Sequence, residues 1–145
     1  MAAATAAYFL LAHWLAISYV GVSYVRPDSI APNVAGEKVE LLRPFAKFLN
    51  SDFAVIAQNH LFKELADSAD NNERSTIELY ENGKRLGPPH SKHADVANIG
   101  RGRYSHWRQS NSIFVFSSSD NSNPQTNGRA YWVVKPDAPP PPSEP

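Results

Sequence analysis

Residues 104–134 read YSHWRQSNSIFVFSSSDNSNPQTNGRAYWVV. Tyr104–Trp107, Ile113–Ser117 and Ala130–Val134 are rich in aromatic and β-branched residues, which favour a pleated, half-buried surface, so each is expected as a strand. Between the last two, Ser118–Gly128 (SSDNSNPQTNG) is dense in Ser, Asn, Asp and Pro, the residues that bond their own backbone in turns. Strands separated by long polar turns indicate a β-rich fold for this part of the chain.

Moving upstream, Thr76–Tyr80 alternates apolar and polar residues as a strand does, and Glu81-Asn82-Gly83-Lys84 supplies a tight turn in which Asn-Gly suits positive φ. His90–Ile99 reads as a short helix closed by Gly100, and Asp67–Arg74 (DSADNNER) as a polar loop. Phe53–Ala57 and Leu61–Ala66 are too short to assign by periodicity. The folded domain is expected over residues 52–135, with strands and one or two short helices. Residues 26–51 read as a linker with a short amphipathic segment, broken by Pro27, Pro32, Gly36 and Pro44. Residues 136–145 (PDAPPPPSEP) form a proline-rich tail expected to stay extended and disordered.

The N-terminal stretch differs in kind. Ala2–Val25 (AAATAAYFLLAHWLAISYVGVSYV) contains no charged residue, and all 14 basic and 14 acidic residues follow it. As a helix it would run about 36 Å at roughly 1.5 Å per residue, against about 30 Å of bilayer hydrocarbon. Arg26-Pro27 would end it. No basic residue precedes the run and no good cleavage site follows, which disfavours a secretory leader. The fold expectation is therefore α+β: one N-terminal transmembrane helix over residues 2–25, then a small β-rich soluble domain. The protein would be a single-pass membrane protein, with the lipid bilayer and other membrane subunits as partners. Arg26, Lys38 and Arg43 follow the span and vote for a cytoplasmic domain, but their acidic neighbours leave the side undetermined. His13 within the span, flanked by the small residues Ala12 and Ala16, is the candidate helix-packing face.

Several functions are disfavoured by composition. The chain carries no net formal charge, which argues against general nucleic-acid binding. It contains no cysteine, which excludes disulfides, thiolate catalysis and cysteine metal sites. No Gly-x-Ser-x-Gly, Walker or dinucleotide-binding pattern occurs, and Ser105 and His106 would point to opposite faces of a strand, so an enzyme is not the first expectation. No cofactor is indicated.

The segments Tyr80-Glu-Asn-Gly, Leu86-Gly-Pro, His90, His93, Gly102-Arg-Tyr-Ser-His-Trp107, Phe116-Ser, Ser119-Asp-Asn-Ser122, Thr126-Asn-Gly-Arg129 and Tyr131 together form a pattern. It resembles a small bacterial domain appended to glycosyltransferases, methyltransferases and other envelope- or polysaccharide-related proteins. The resemblance covers residues 62–134 and implies a bacterial source and an envelope theme; it transfers no catalytic residue. Asn82 and Asn123 stand where that pattern more often has acids.

Two groups of residues carry chemistry. Tyr104, Trp107, Asp120, Asn121, Asn127 and Arg129 combine aromatic faces, amides, a carboxylate and a guanidinium, which suits a glycan or another polar or anionic ligand; a self-bonded turn is the alternative for residues 120–129. His90-x-x-His93, three apart on one helix face, with Asp95 and His106 nearby in sequence, is a weak metal candidate. The functional expectation is a membrane-anchored, non-catalytic recognition domain; the alternative is an accessory structural subunit of a larger membrane complex.

Overall fold

In the computed structural model the described residues are 30–58, 60, 62–109, 112–137. They form two four-stranded antiparallel sheets. Eight strands follow in chain order: β1 (Glu37–Leu41), β2 (Ala46–Lys47), β3 (Ala54–Gln58), β4 (Glu78–Glu81), β5 (Lys84–Arg85), β6 (Tyr104–Trp107), β7 (Ile113–Ser117) and β8 (Tyr131–Lys135). The first sheet has the order β1-β8-β4-β5 and the second β2-β3-β7-β6. A single turn of 3₁₀ helix (Lys63–Leu65) and one α-helix, α1 (His93–Asn98), complete the described elements.

Register explains the core. In the first sheet Val39, Val133 and Leu79 align across β1, β8 and β4, and Leu41, Tyr131 and Glu81 form the next row. In the second sheet Val55, Phe116 and Tyr104 align, and Ala57, Phe114 and His106 lie beside them. Because side chains alternate along a strand, each pair of rows shares one face. These two faces meet in one cluster containing Leu41, Val55, Leu79, Phe116, Tyr131 and Val133. Full burial of each large apolar side chain contributes about 2 kcal/mol. Phe45, on the connection after β1, closes the cluster by packing edge-on to Phe116 and Tyr131.

The outward face of the second sheet is covered by α1. Val96 packs there with Ala54 and Val115, with Phe48, Phe53, Ile56 and Ile113 around them. The helix stops at Gly100, whose φ of +66° places it in the left-handed region and whose N–H donates to Asp95 O at 3.0 Å. The β4–β5 hairpin turns on Asn82 (φ +46°) and Gly83 (φ +78°), as an Asn-Gly pair in a two-residue loop should.

Two expectations are corrected. The α+β assignment with a transmembrane helix gives way to an architecture that is nearly all β among the described residues. The α-helix there has six residues, and no helix among the described residues is long and apolar enough to cross a membrane. The single-pass membrane assignment and the bilayer as partner therefore find no support in the fold. The segment that prompted them, Ala2–Val25 with Ala12, His13 and Ala16, lies outside the described residues. Residues 26–51, read as a linker, supply β1 and β2. The alternation that buries Leu41 and partly buries Val39 against β8 is masked in the sequence by the charged residues of the strand and by Pro44.

Candidate functional site

The free edge of β6 organises the most distinctive polar group in the molecule. Tyr104 N–H donates to Pro88 O (3.3 Å) and Tyr104 O accepts from Ser91 N–H (3.0 Å), which ties residues 88–91 to one end of the strand. At the other end Asp67 N–H donates to His106 O (2.9 Å), and Arg108 N–H donates to Asp67 O (2.8 Å). Two distant loops thus dock on one strand edge and bring Asp67 and His90 together. Asp67 Oδ2 lies 2.7 Å from His90 Nδ1, and Asp67 Oδ1 accepts the Ser75 N–H at 2.7 Å. Asp67 is 1% exposed, so its carboxylate depends on these partners for the solvation water would otherwise provide.

His90 has φ of +52°, an uncommon conformation for a residue with a side chain. Its side chain keeps 25% of its surface accessible. With Nδ1 engaged by the carboxylate, the ring is held in one orientation and Nε2 is left for another partner. Behind the pair, Ser75 Oγ lies 2.7 Å from His106 Nδ1, and His106 Nε2 lies 2.8 Å from Ser112 Oγ. The His106 ring stacks on Phe114 with centroids 4.2 Å apart. Burial, with a smaller contribution from His90, pushes the His106 pKa down from 6.5 to about 4, so this imidazole is neutral at pH 7.

A cleft of about 440 Å³ opens beside the pair, lined by His90, Lys92, His93, Trp107, Gln109 and Asn72 among others. His93 stands edge-on between Phe48 (5.5 Å) and Trp107 (5.9 Å). Burial lowers its pKa. Its Nε2 is buried and has no hydrogen-bond partner within the protein; Trp132 Nε1 is the other such side-chain atom among the described residues. A buried ring nitrogen left unbonded costs about 1–3 kcal/mol.

The residues expected to bind ligand separate into two places. Trp107 lines the cleft, together with His90 and His93. Tyr104 is 1% exposed, and its hydroxyl donates to Ile77 O at 3.1 Å; burial raises its pKa to about 12. Asp120, Asn127 and Arg129 surround buried Glu81. The Arg129 guanidinium meets Glu81 Oε1 at 3.2 Å and Asp120 Oδ1 at 2.9 Å, and Tyr131 Oη donates to Glu81 Oε1 at 3.0 Å. Hydrogen bonds from Arg129 and Ser122 hold the Asp120 carboxyl well below the usual range. The Asn127 amide donates to Tyr131 Oη (2.8 Å) and Ser122 Oγ (3.0 Å), while its Oδ1 accepts from Arg129 N–H (3.1 Å). Asn121 accepts from Arg101 N–H (2.6 Å) and donates to Ile99 O (3.0 Å), fastening the loop to the end of α1. Arg43 also reaches into the loop, donating to Pro124 O, Gln125 O and Arg129 O. These polar groups hold the loop and the sheet ends together.

As for metal, among the described residues no group of three or more His, Asp or Glu side chains gathers to hold an ion. His90 is engaged by Asp67 and His93 is wedged between rings. Asp67, Asn72 and Gln109 had no sequence signal: each is an ordinary polar residue in a polar stretch, and only docking on β6 makes it part of a site. Comparison with protein families, curated proteins and solved structures finds no match to this chain.

Proposed function

We propose that this is a non-catalytic recognition domain that binds a hydroxyl-rich, glycan-type ligand in the cleft between His90 and Trp107. The observation that carries the reading is the pairing in one cleft of the Trp107 ring with the His90 imidazole, which Asp67 holds through Nδ1 so that Nε2 is left for a ligand. An imidazole nitrogen held in that way suits a ligand hydroxyl, which can donate to it or accept from it. Trp107 adds an apolar ring surface of the kind that carries the hydrophobic face of a sugar, and Asn72, Gln109 and Lys92 supply polar groups around it.

The test is binding of the full chain to an array of neutral and uronate oligosaccharides, repeated with Trp107→Ala, His90→Asn and Arg129→Lys. Binding lost in the first two and kept in the third is the expected result. Binding that depends on Arg129 and ignores Trp107 would move the site to the 120–129 loop and refute the assignment.

A further inference from the structure

The cleft beside Trp107 has a neighbour. A second cleft of about 370 Å³ is lined by Thr76, Glu78, Arg85, Pro89, Tyr104 and again His90. Three pairs of residues show that the two lie on opposite sides of one wall. Asp67 lines the first cleft and Ser75 the second, and they are joined by a 2.7 Å hydrogen bond. Ser105 lines the first and Tyr104 the second, as successive residues of β6. Ser91 lines the first and Pro89 the second, with His90 between them lining both.

We propose that the ligand is a linear glycan lying across Pro89–His90–Ser91, with one stretch of sugar in each cleft. This rests on the recognition reading above and narrows its ligand to a linear chain that spans both clefts. The dividing ridge is fixed before any ligand arrives. His90 is held by buried Asp67, and Ser91 is bonded to Tyr104 O on β6, so little ordering cost attaches to binding over it. Each cleft lies at the lower end of the range used by small-molecule sites, enough for a short piece of a chain and too small for all of it. The far cleft carries the Arg85–Glu78 ion pair (2.8 Å), whose guanidinium remains half exposed, and the Thr76 hydroxyl, groups suited to ring hydroxyls or a uronate. His90 Nε2, the one ring nitrogen not engaged by Asp67, serves the sugar units that meet at the ridge.

The experiment titrates the full chain with two probe series, β-1,4-linked N-acetylglucosamine and mannuronate oligomers of one, two and four units. The Trp107 indole N–H is followed by NMR and affinity by calorimetry. A four-unit oligomer of at least one series should bind about tenfold or more tightly than its monomer, because the second cleft adds an intramolecular contact. Arg85→Ala and Thr76→Ala, both on the far wall, should bring the tetramer down to the monomer's affinity and leave the monomer unchanged. Equal affinity for one and four units, or a tetramer indifferent to both far-wall variants, overturns the two-cleft proposal while the recognition site stands. An indole that neither series moves overturns the recognition reading and this inference with it.

Discussion

Acidification should destabilise this fold through one buried imidazole. His106 is 1% exposed, stacked on Phe114 and bonded through both ring nitrogens to serine hydroxyls. Burial holds its folded-state pKa near 4 against 6.5 unfolded. Between those values the unfolded chain takes up a proton that the folded chain refuses, so stability rises with pH across the window. The contribution is complete above about pH 6.5 and falls away as pH drops toward 4. The interval from 6.5 to about 4 corresponds to about 3 kcal/mol at roughly 1.4 kcal/mol per unit. His93, also lowered by burial, acts in the same direction. The assay is urea unfolding followed by tryptophan fluorescence at steps from about pH 7.5 to about pH 4.5, on the parent chain and on His106→Gln. Glutamine can bond both serines but does not titrate. The parent should lose stability more steeply than the variant, with the difference approaching about 3 kcal/mol at the acid end. Parallel curves for the two proteins would show that His106 is not the group responsible, and would refute the burial argument.

Other consequences follow from the same geometry. Arg129→Ala leaves Glu81, 7% exposed, without its cationic partner, and should cost about 3 kcal/mol in urea unfolding; a loss within about 0.5 kcal/mol would mean the cluster is a surface ion pair. Gly100→Ala places a methyl group against Asn121 Oδ1 and the Phe53 ring at a positive φ, and should lower stability by about 1–3 kcal/mol, read by thermal melting. His90→Asn keeps a residue tolerant of positive φ while removing the imidazole; it should fold and weaken oligosaccharide binding in calorimetry, whereas unchanged affinity would remove His90 from the site.

The division between local and tertiary information is visible in particular residues. Periodicity and composition located strands at 104–107, 113–117 and 130–134 and the Asn82-Gly83 hairpin, because β-branched and aromatic alternation and positive-φ turns are local properties. They also put Trp107, His90 and His93 among the candidates. They misjudged residues 26–51, where Leu41 is buried in the core and Val39 packs against it only because β8 supplies Tyr131 and Val133 opposite them. They suggested a membrane span over residues 2–25, which lie outside the described residues, and no helix among the described residues is long and apolar enough to cross a membrane. Above all, nothing local distinguishes Arg129 bonded to Glu81 from Arg129 offered to a ligand, or Asp67 in a loop from Asp67 buried against His90. Local composition and alternation dictate which residues can form strands, turns and polar contacts. Which of them face each other was decided by strand register and by two loops docking on the edge of β6, because pairing between residues far apart in the chain depends on the whole assembled fold.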